Sequence, residues 1–344
     1  MRLRATAPLG AHGPASILRP GLGLHTRSMT SAPAKSDIDD LVTLRDWLRF
    51  GVSRFNAAGL VYGHGTSNAL DEAAFLVLRA LDLPPDQLEP WLEARLTQSE
   101  REKIAGLISA RIETRKPAPY LIHEAWIGGH KFYVDERVIV PRSYIGELIV
   151  KGLGSALPDP DAIERVLDLC TGGGSLAILA ALAFPGASID ACDVSSDALA
   201  VARRNVEDYD LSDRIRLVES DLFNNVGSRR YDLILSNPPY VDAGAVAVFP
   251  PEFRAEPVLA HAGGPDGLDL VRRILKEAPR HLNSEGTLIV EVGRGRALLE
   301  AEFPDLPFLW LDTEESEGEV FALSHPDLAV QGSAPARARK GAST

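Results

Sequence analysis

The 344-residue chain has few of the residues that hold small or stapled folds together. Its two cysteines, Cys170 and Cys192, are too few for a disulfide scaffold. They have no zinc-type spacing, and the eight histidines form no metal or triad pattern, so no metal is expected. A reducing, cytoplasmic compartment is the default for such a chain. No apolar run approaches the roughly 18–20 residues of a membrane span. There is no internal repeat. Positive charge is scarce as well, with 36 Lys and Arg against 48 Asp and Glu. Arg2, Arg4, Arg19, Arg27 and Lys35 precede the first acid, and Arg337, Arg339 and Lys340 follow the last. Without these eight, the formal charge of −12 becomes −20 on residues 36–330. An acidic body with no basic stripe speaks against stable nucleic-acid binding and favours a basic protein partner.

What remains is an ordinary globular balance, 45% hydrophobic and 24% charged, long enough for two domains. Residues 1–36 are Pro-, Gly-, Ser- and Arg-rich. They read as a disordered basic leader, a start assigned upstream of Met29, or a mitochondrial presequence. Residues 329–344 read as a disordered basic tail.

Residues 37–118 carry helical periodicity. Leu41, Leu44, Trp47, Leu48, Val52 and Phe55 share one face, a second helix is expected from Asn68 to about Leu81, and a third over Asp86–Arg95. A fourth opens on the capping box Thr97-Gln98-Ser99-Glu100, carries Ile104, Leu107, Ile108 and Ile112, and stops before Pro117. Residues 119–141 change character: Gly128-Gly129 between Trp126-Ile127 and Phe132-Tyr133-Val134 reads as a β-hairpin linker. Beyond it, apolar runs at 166–170, 188–192, 215–218, 233–235 and 288–292 alternate with helical patterns at 175–184, 197–209 and 268–282. That alternation predicts a parallel, doubly wound α/β sheet. Two final runs, 308–311 and 320–323, have no helix between them and should pair antiparallel.

The chemistry is expected at the strand ends. In "VLDLCTGGGSLAI" (166–178) a strand gives way to Gly172, Gly173 and Gly174 and then to a helix start, where the backbone can approach a ligand closely. Asp193 ends the next run and has the spacing of an acid that holds ribose hydroxyls. Asp221, with Leu222 beside it, ends the third at the depth of an adenine. Together these imply an adenosine-containing ligand, and they do not separate NAD from S-adenosylmethionine. Asp168, within the first strand, favours the methyl donor, because an acid there can face its charged methionine end.

The fourth strand ends in Asn237-Pro238-Pro239-Tyr240. A planar NH₂ group is a poor nucleophile because its lone pair is delocalised. Two acceptors, the Asn237 side-chain oxygen and the Pro238 carbonyl, can hold its two N–H bonds and aim its π density at a methyl group. Proline pre-sets that carbonyl, and Tyr240 offers a wall to the planar group.

At these residues the chain resembles the class I S-adenosylmethionine-dependent methyltransferases with an Asn-Pro-Pro-Tyr motif. That group includes adenine amino methyltransferases and protein-glutamine N5 methyltransferases. "DERVIVPR" (135–142), "AEPVLAHAGGPDGLDL" (255–270) and "LIVEVG" (288–293) are similar to the glutamine family. Within it, "GHKFYVDERVIVPRSYIGELI" (129–149) and "LRFGVSRFNAAGLVYGHGTSNALDEAAFLVL" (48–78) resemble the branch that modifies large-subunit ribosomal protein L-three. A second branch modifies the Gly-Gly-Gln loop of peptide-chain release factors.

The resemblance implies a Rossmann-like, seven-stranded, mostly parallel sheet over 142–328. It implies S-adenosyl-L-methionine as cofactor, held by Asp168, Cys170, Thr171, Gly172, Gly173, Gly174, Asp193, Asp221, Leu222 and Asn237. It implies a glutamine held by Asn237, Pro238, Pro239 and Tyr240. Gly173 departs from the family's hydroxyl residue at that position. The resemblance also leaves Arg142 as a substrate contact or a scaffold ion pair, and Glu256-Pro257 with Gly263–Gly267 as a lid or a plain loop. Competing readings are an adenine-N6 methyltransferase, an NAD-dependent oxidoreductase, and a non-enzymatic ribosome-assembly binder.

Overall fold

The computed structural model describes residues 35–329 except 158 and 315. The readings of the leader through residue 34 and of the tail from residue 330 lie outside the described residues. The chain forms two compact units. One runs up to Arg142 and includes Gly244–Ala260; the other is Ser143–Ala243 with the chain from His261 onward.

The first unit is mainly helical: α1 (Lys35–Asp40), α2 (Leu44–Ala57), α3 (Ala69–Ala80), α4 (Gln98–Thr114) and α5 (Ala118–Ile122). The starts follow local chemistry. Thr43 and Asp46 form a capping box on α2, and Thr97 and Glu100 form the expected one on α4. The Asn68 side chain accepts the N–H groups of Leu70 and Asp71 at the start of α3. Leu41, Leu44, Trp47, Leu48 and Phe55 are buried with Ile104, Ile108 and Ile112 in one core. Gly51 lets α2 and α3 close together, since a Cβ there would lie 3.2 Å from that of Ala73.

The helix expected over 86–95 is not formed. Only a 3-10 turn exists, Glu89–Trp91. Pro90 removes a backbone donor inside the segment. The Leu92 and Ala94 carbonyls accept instead from Arg45 and Leu44 at the start of α2. The hairpin is present, with β1 (Ala125–Ile127) antiparallel to β2 (His130–Phe132). Gly128 and Gly129 both have positive φ, as a two-residue hairpin turn of the favoured hand needs. Tyr133 and Val134 fall beyond β2.

Segment 244–260 is tied into this unit by buried charge. Glu252 pairs with Arg115 at 2.6 Å and accepts the Val61 N–H. Arg111, fully buried, pairs with Glu72 and lies 3.8 Å from Glu252. Arg142 bonds Glu256 with both terminal nitrogens, at 2.6 and 2.8 Å. Arg142 is therefore an ion-pair partner of the scaffold. His64, expected in a loop, is in one, and it is buried 3.4 Å from Glu256. Burial holds its pKa below the usual imidazole value.

The second unit follows the predicted alternation. In order it contains α6 (Tyr144–Val150), β3 (Arg165–Leu169), α7 (Ser175–Ala183), β4 (Ser188–Asp193), α8 (Ser196–Asp208), β5 (Ile215–Glu219) and β6 (Tyr231–Ser236). A short helix, α9 (Ala243–Ala247), follows β6. The unit resumes with α10 (Asp269–Glu277), β7 (Leu282–Glu291), α11 (Arg296–Glu302), β8 (Leu309–Leu311), β9 (Val320–Ser324) and α12 (His325–Ala329). The seven strands lie in the order β5-β4-β3-β6-β7-β9-β8. All neighbours pair parallel except β7–β9 and β8–β9. The fold class is thus as expected, and the last two strands pair antiparallel as their missing crossover helix requires. Strand order reverses between β3 and β6, so their carboxyl ends flank the crevice where such sheets bind ligands.

Candidate active site

β3 carries Asp168 one residue before its carboxyl end. The residue is completely buried, paired in register with Ala191 on one side and Leu235 on the other. One carboxylate oxygen accepts from the Thr171 hydroxyl at 2.5 Å and the Ala177 N–H at 3.1 Å. Asp168 thereby caps α7, whose N-cap residue Gly174 has no side chain to do so. The other oxygen, Oδ1, is buried and has no hydrogen-bond partner among the described residues. Burial raises the Asp168 pKa to about 7, against the opposing effect of its two hydrogen bonds.

The glycine turn is built for close backbone approach. Gly172 and Gly174 have φ of 54° and 81°. A Cβ on Gly172 would meet nothing within 4 Å, whereas one on Gly174 would lie 3.2 Å from the Ala202 Cβ. Gly174 is thus needed for helix packing, and Gly172 leaves open space. The Gly173 carbonyl accepts from the buried Asn205 side chain of α8 at 2.8 Å, fixing the turn from below. Cys170 also has positive φ, 58°, and Thr171 donates its N–H to the Cys192 carbonyl. Burial raises the pKa of both cysteines, Cys192 to about 12, which disfavours the thiolate at each.

At the end of β4, one Asp193 oxygen accepts the Gly172 N–H and the other the Ser195 N–H, each at 2.9 Å. Asp193 ties the strand end to the glycine turn. After β5, Leu222 is buried with φ of 51°. Asp221 is half-exposed and pairs with Arg273 at 2.9 Å, so its carboxylate is the most solvated of the three acids.

Beyond β6 the Asn237–Tyr240 turn sits beside this group, because β6 pairs with β3 through Leu169↔Ser236. The Ser236 hydroxyl donates to the Leu169 carbonyl across that junction. Pro238 is buried, while Asn237, Pro239 and Tyr240 are half-buried. The turn is clasped from behind. Val241 donates to the His261 carbonyl and Gly263 to the Val241 carbonyl. A Cβ at Gly263 would lie 2.7 Å from the Pro239 carbonyl oxygen, and one at Gly267 would overlap the Tyr240 carbonyl oxygen. Gly263–Gly267 is therefore a packed support of the Asn-Pro-Pro-Tyr turn.

Two residues of this site escaped sequence reasoning in their role. Glu291 ends β7 fully buried, and Ser143 caps α6. The Tyr240 hydroxyl donates to Glu291 Oε1 at 2.9 Å, and the Ser143 hydroxyl donates to Oε2 at 2.6 Å. Glu291 carries the same signal that marks Asp168, Asp193 and Asp221, an acid at the end of an apolar run.

A buried acid, an open glycine turn and a second acid thus stand at neighbouring parallel strand ends, with an amide-bearing turn beside them. A family model described as "Methyltransferase small domain" matches residues 150–249. A ribosomal protein uL3 glutamine methyltransferase of Bradyrhizobium diazoefficiens is 56% identical over 86% of this chain and 94% of its own length. That of Bordetella pertussis is 54% identical over 84% and 97%. A crystallised methyltransferase from Pyrococcus furiosus aligns at 20% identity and TM-score 0.41, over 56% of this chain and 88% of that one. The chain is a methyltransferase, and it belongs to the ribosomal protein uL3 glutamine methyltransferase family.

Proposed function

We propose that this protein transfers a methyl group from S-adenosyl-L-methionine to the side-chain amide nitrogen (N5) of a glutamine in large-subunit ribosomal protein uL3. The observation that carries the reading is the Asn237–Tyr240 turn held at the end of β6, directly beside the Asp168 and glycine-turn group at the end of β3. The donor fits the residues present. The unpartnered Asp168 oxygen suits the cationic amino end of a methionine moiety. The space at Gly172 admits a ligand against the backbone, and Asp193 keeps lone pairs for ribose hydroxyls. Cys170, Thr171, Gly173 and Gly174 shape the turn, and Asp221 with Leu222 borders the adenine end. S-adenosylmethionine supplies an electrophilic methyl group on a sulfonium sulfur.

The chain's own work is positioning. Asn237 Oδ1 and the Pro238 carbonyl accept the two N–H bonds of the glutamine amide, which turns its π density towards the methyl group. Attack by the amide nitrogen would form the new C–N bond as the methyl–sulfur bond breaks to leave a neutral thioether, and the nitrogen would then lose one proton to solvent. Pro239 and Tyr240 form a wall against the planar group and exclude water. Proline rigidity and the packed Gly263–Gly267 support fix these acceptors before substrate arrives, so little ordering remains at the barrier.

The acidic body favours a basic protein substrate, which argues against a nucleic-acid amine. We place the specificity element in the helical domain over residues 37–118, followed by the 119–141 hairpin and the methyltransferase domain at 142–328, from which residues 244–260 depart to the first unit. The work belongs in the cytoplasm, where ribosomal proteins are made. The relatives named above are bacterial, which lends the presequence reading of the leader no support.

The test is peptide mass spectrometry on newly synthesised uL3 and on release factors, each incubated with the purified protein and the methyl donor. Methyl on a uL3 glutamine alone is expected. Methyl confined to the Gly-Gly-Gln loop would keep the chemistry and move the substrate. No methyl on either protein, with donor bound, would reopen the adenine reading.

A further inference from the structure

The Glu291 carboxylate has an arrangement that the methyl-transfer reading does not itself require. It lies at the last position of β7, one residue past the Ser236↔Val290 pair, and so stands alongside Asn237 where the catalytic turn begins. It is 1% exposed. Its two oxygens are used differently. Oε1 accepts from the Tyr240 hydroxyl at 2.9 Å. Oε2 accepts from the Ser143 hydroxyl at 2.6 Å and from the Tyr144 N–H at 2.9 Å. Ser143 is also the N-cap of α6, where its side chain accepts the Ile145 N–H.

A carboxylate taken out of water is costly unless its lone pairs are filled and its place is needed. All three donors come from two places only, the tip of the Asn-Pro-Pro-Tyr turn and the first turn of α6. The Tyr240 ring is pinned on a second side as well. Gly293, two residues after Glu291, has φ of 51°, and a Cβ there would lie 2.7 Å from Tyr240 Cε2. The ring is thus fixed at its hydroxyl by Glu291 and along its edge by the Gly293 backbone. An aromatic residue on a turn would otherwise swing about two side-chain torsions, since neither proline beside it restrains its χ angles.

We propose that Glu291 is a positioning residue for the methyl transfer, locking the Tyr240 ring in the orientation that forms the wall of the amide site, with Ser143 and the Tyr144 N–H holding the carboxylate in place. The inference rests on the reading of Tyr240 as that wall. It makes the first turn of α6 part of the catalytic support, although α6 offers no group to cofactor or substrate in that reading. Replacing the carboxylate by an amide leaves one acceptor oxygen for two sets of donors, so either Tyr240 or the α6 turn loses its partner.

The test is a double-mutant cycle with the full chain and newly synthesised uL3 as acceptor. Glu291→Gln and Tyr240→Phe should each lower kcat about tenfold, with the dissociation constant of S-adenosylmethionine changed by less than about twofold. The double variant should be within about twofold of the worse single variant, because both remove one interaction. Losses that multiply to about a hundredfold would show that Glu291 acts apart from Tyr240 and would overturn the proposal, as would wild-type kcat in Glu291→Gln. Should Glu291→Gln fail to fold, Ser143→Ala takes its place in the cycle. Its expected loss is about threefold, absent in the Tyr240→Phe background. Tyr240→Ala separates the two readings. Full turnover there removes the wall itself. Strong loss there together with an innocuous Glu291→Gln removes only the present inference.

Discussion

One oxygen of the buried Asp168 carboxylate accepts the backbone N–H of Ala177 and so caps α7, while its other oxygen meets no donor among the described residues. A single side chain thus fixes the helix that follows the glycine turn and keeps one oxygen available to a ligand's cationic group. With its pKa raised to about 7 by burial, Asp168 changes charge within the working range. Below that value it is neutral and attracts a cationic amino group weakly. Above it, the full charge is present. Affinity for S-adenosylmethionine should therefore rise with pH through about 7, and binding near pH 6.5 should release protons. Isothermal titration in buffers of differing ionisation enthalpy measures both. Asp168→Asn should weaken binding about tenfold or more and flatten the pH dependence. A flat profile in the unaltered protein from pH 6 to 8 would contradict the assignment.

The same group gives a stability signature without ligand. Its folded pKa lies above the unfolded value of 3.8, so the folded state binds more protons between the two. Its favourable contribution is complete below the unfolded pKa and is lost as pH rises through about 7. Asn does not titrate. The stability of Asp168→Asn relative to wild type should therefore increase from pH 5 to pH 7.5, as read from urea midpoints at each pH. The difference between the two proteins is the quantity to follow, because the lowered pKa of His64 acts in the opposite sense over the same range.

Asn237→Ala should keep cofactor binding within about threefold and reduce turnover by roughly two to three orders of magnitude, since it removes an orienting acceptor and little else. Single-turnover kinetics with saturating donor separate the two effects. Near-normal turnover would sink the orientation mechanism.

The glycines divide by what surrounds them. At Gly267, with φ of 83°, a Cβ would collide with the Tyr240 carbonyl oxygen. Gly267→Ala should displace the Asn-Pro-Pro-Tyr turn and cut kcat by at least about tenfold with donor binding preserved. Gly172→Ala meets no atom of the described residues within 4 Å and costs the left-handed backbone penalty of about 1–2 kcal/mol. Its Cβ fills space assigned to the ligand, so donor affinity should fall most. Donor titrations on both variants decide, and the reverse pattern would refute the assignment.

In the helical unit, Arg111 is fully buried between Glu72 and Glu252 and also donates to the Val61 carbonyl. Arg111→Ala would leave the buried Glu72 carboxylate without its cation, while Glu252 keeps Arg115. It should cost about 3–5 kcal/mol of stability in that unit. Chemical denaturation followed by tryptophan fluorescence tests this, Trp47 being buried in the same core.

Much of the fold was legible in the chain itself. Thr97-Gln98-Ser99-Glu100 and Asn68 mark helix starts, and their side chains cap α4 and α3 as local chemistry requires. The parallel sheet follows from apolar runs separated by helical patterns, and the Asn-Pro-Pro-Tyr turn from prolines that must end a strand. The segment at 86–95 departs from the expected helix, because Pro90 lacks a backbone donor and the α2 start claims the Leu92 and Ala94 carbonyls. The α6, α11 and α12 helices are short and carry weak periodicity, so packing against the sheet decides them more than propensity does.

By itself, the sequence determined the strand ends and the residue types placed on them, since side-chain alternation, capping and proline geometry act over a few neighbours. Tertiary structure alone decided which of these meet. It brought Ser143 to Glu291 across 148 residues and Tyr240 to Glu291 across 51. It set residues 244–260 among the helices of the first unit, through Glu252 and Glu256. Those partnerships depend on strand order and on burial that strengthens each charge–dipole contact, and neither is encoded within any one stretch of the chain.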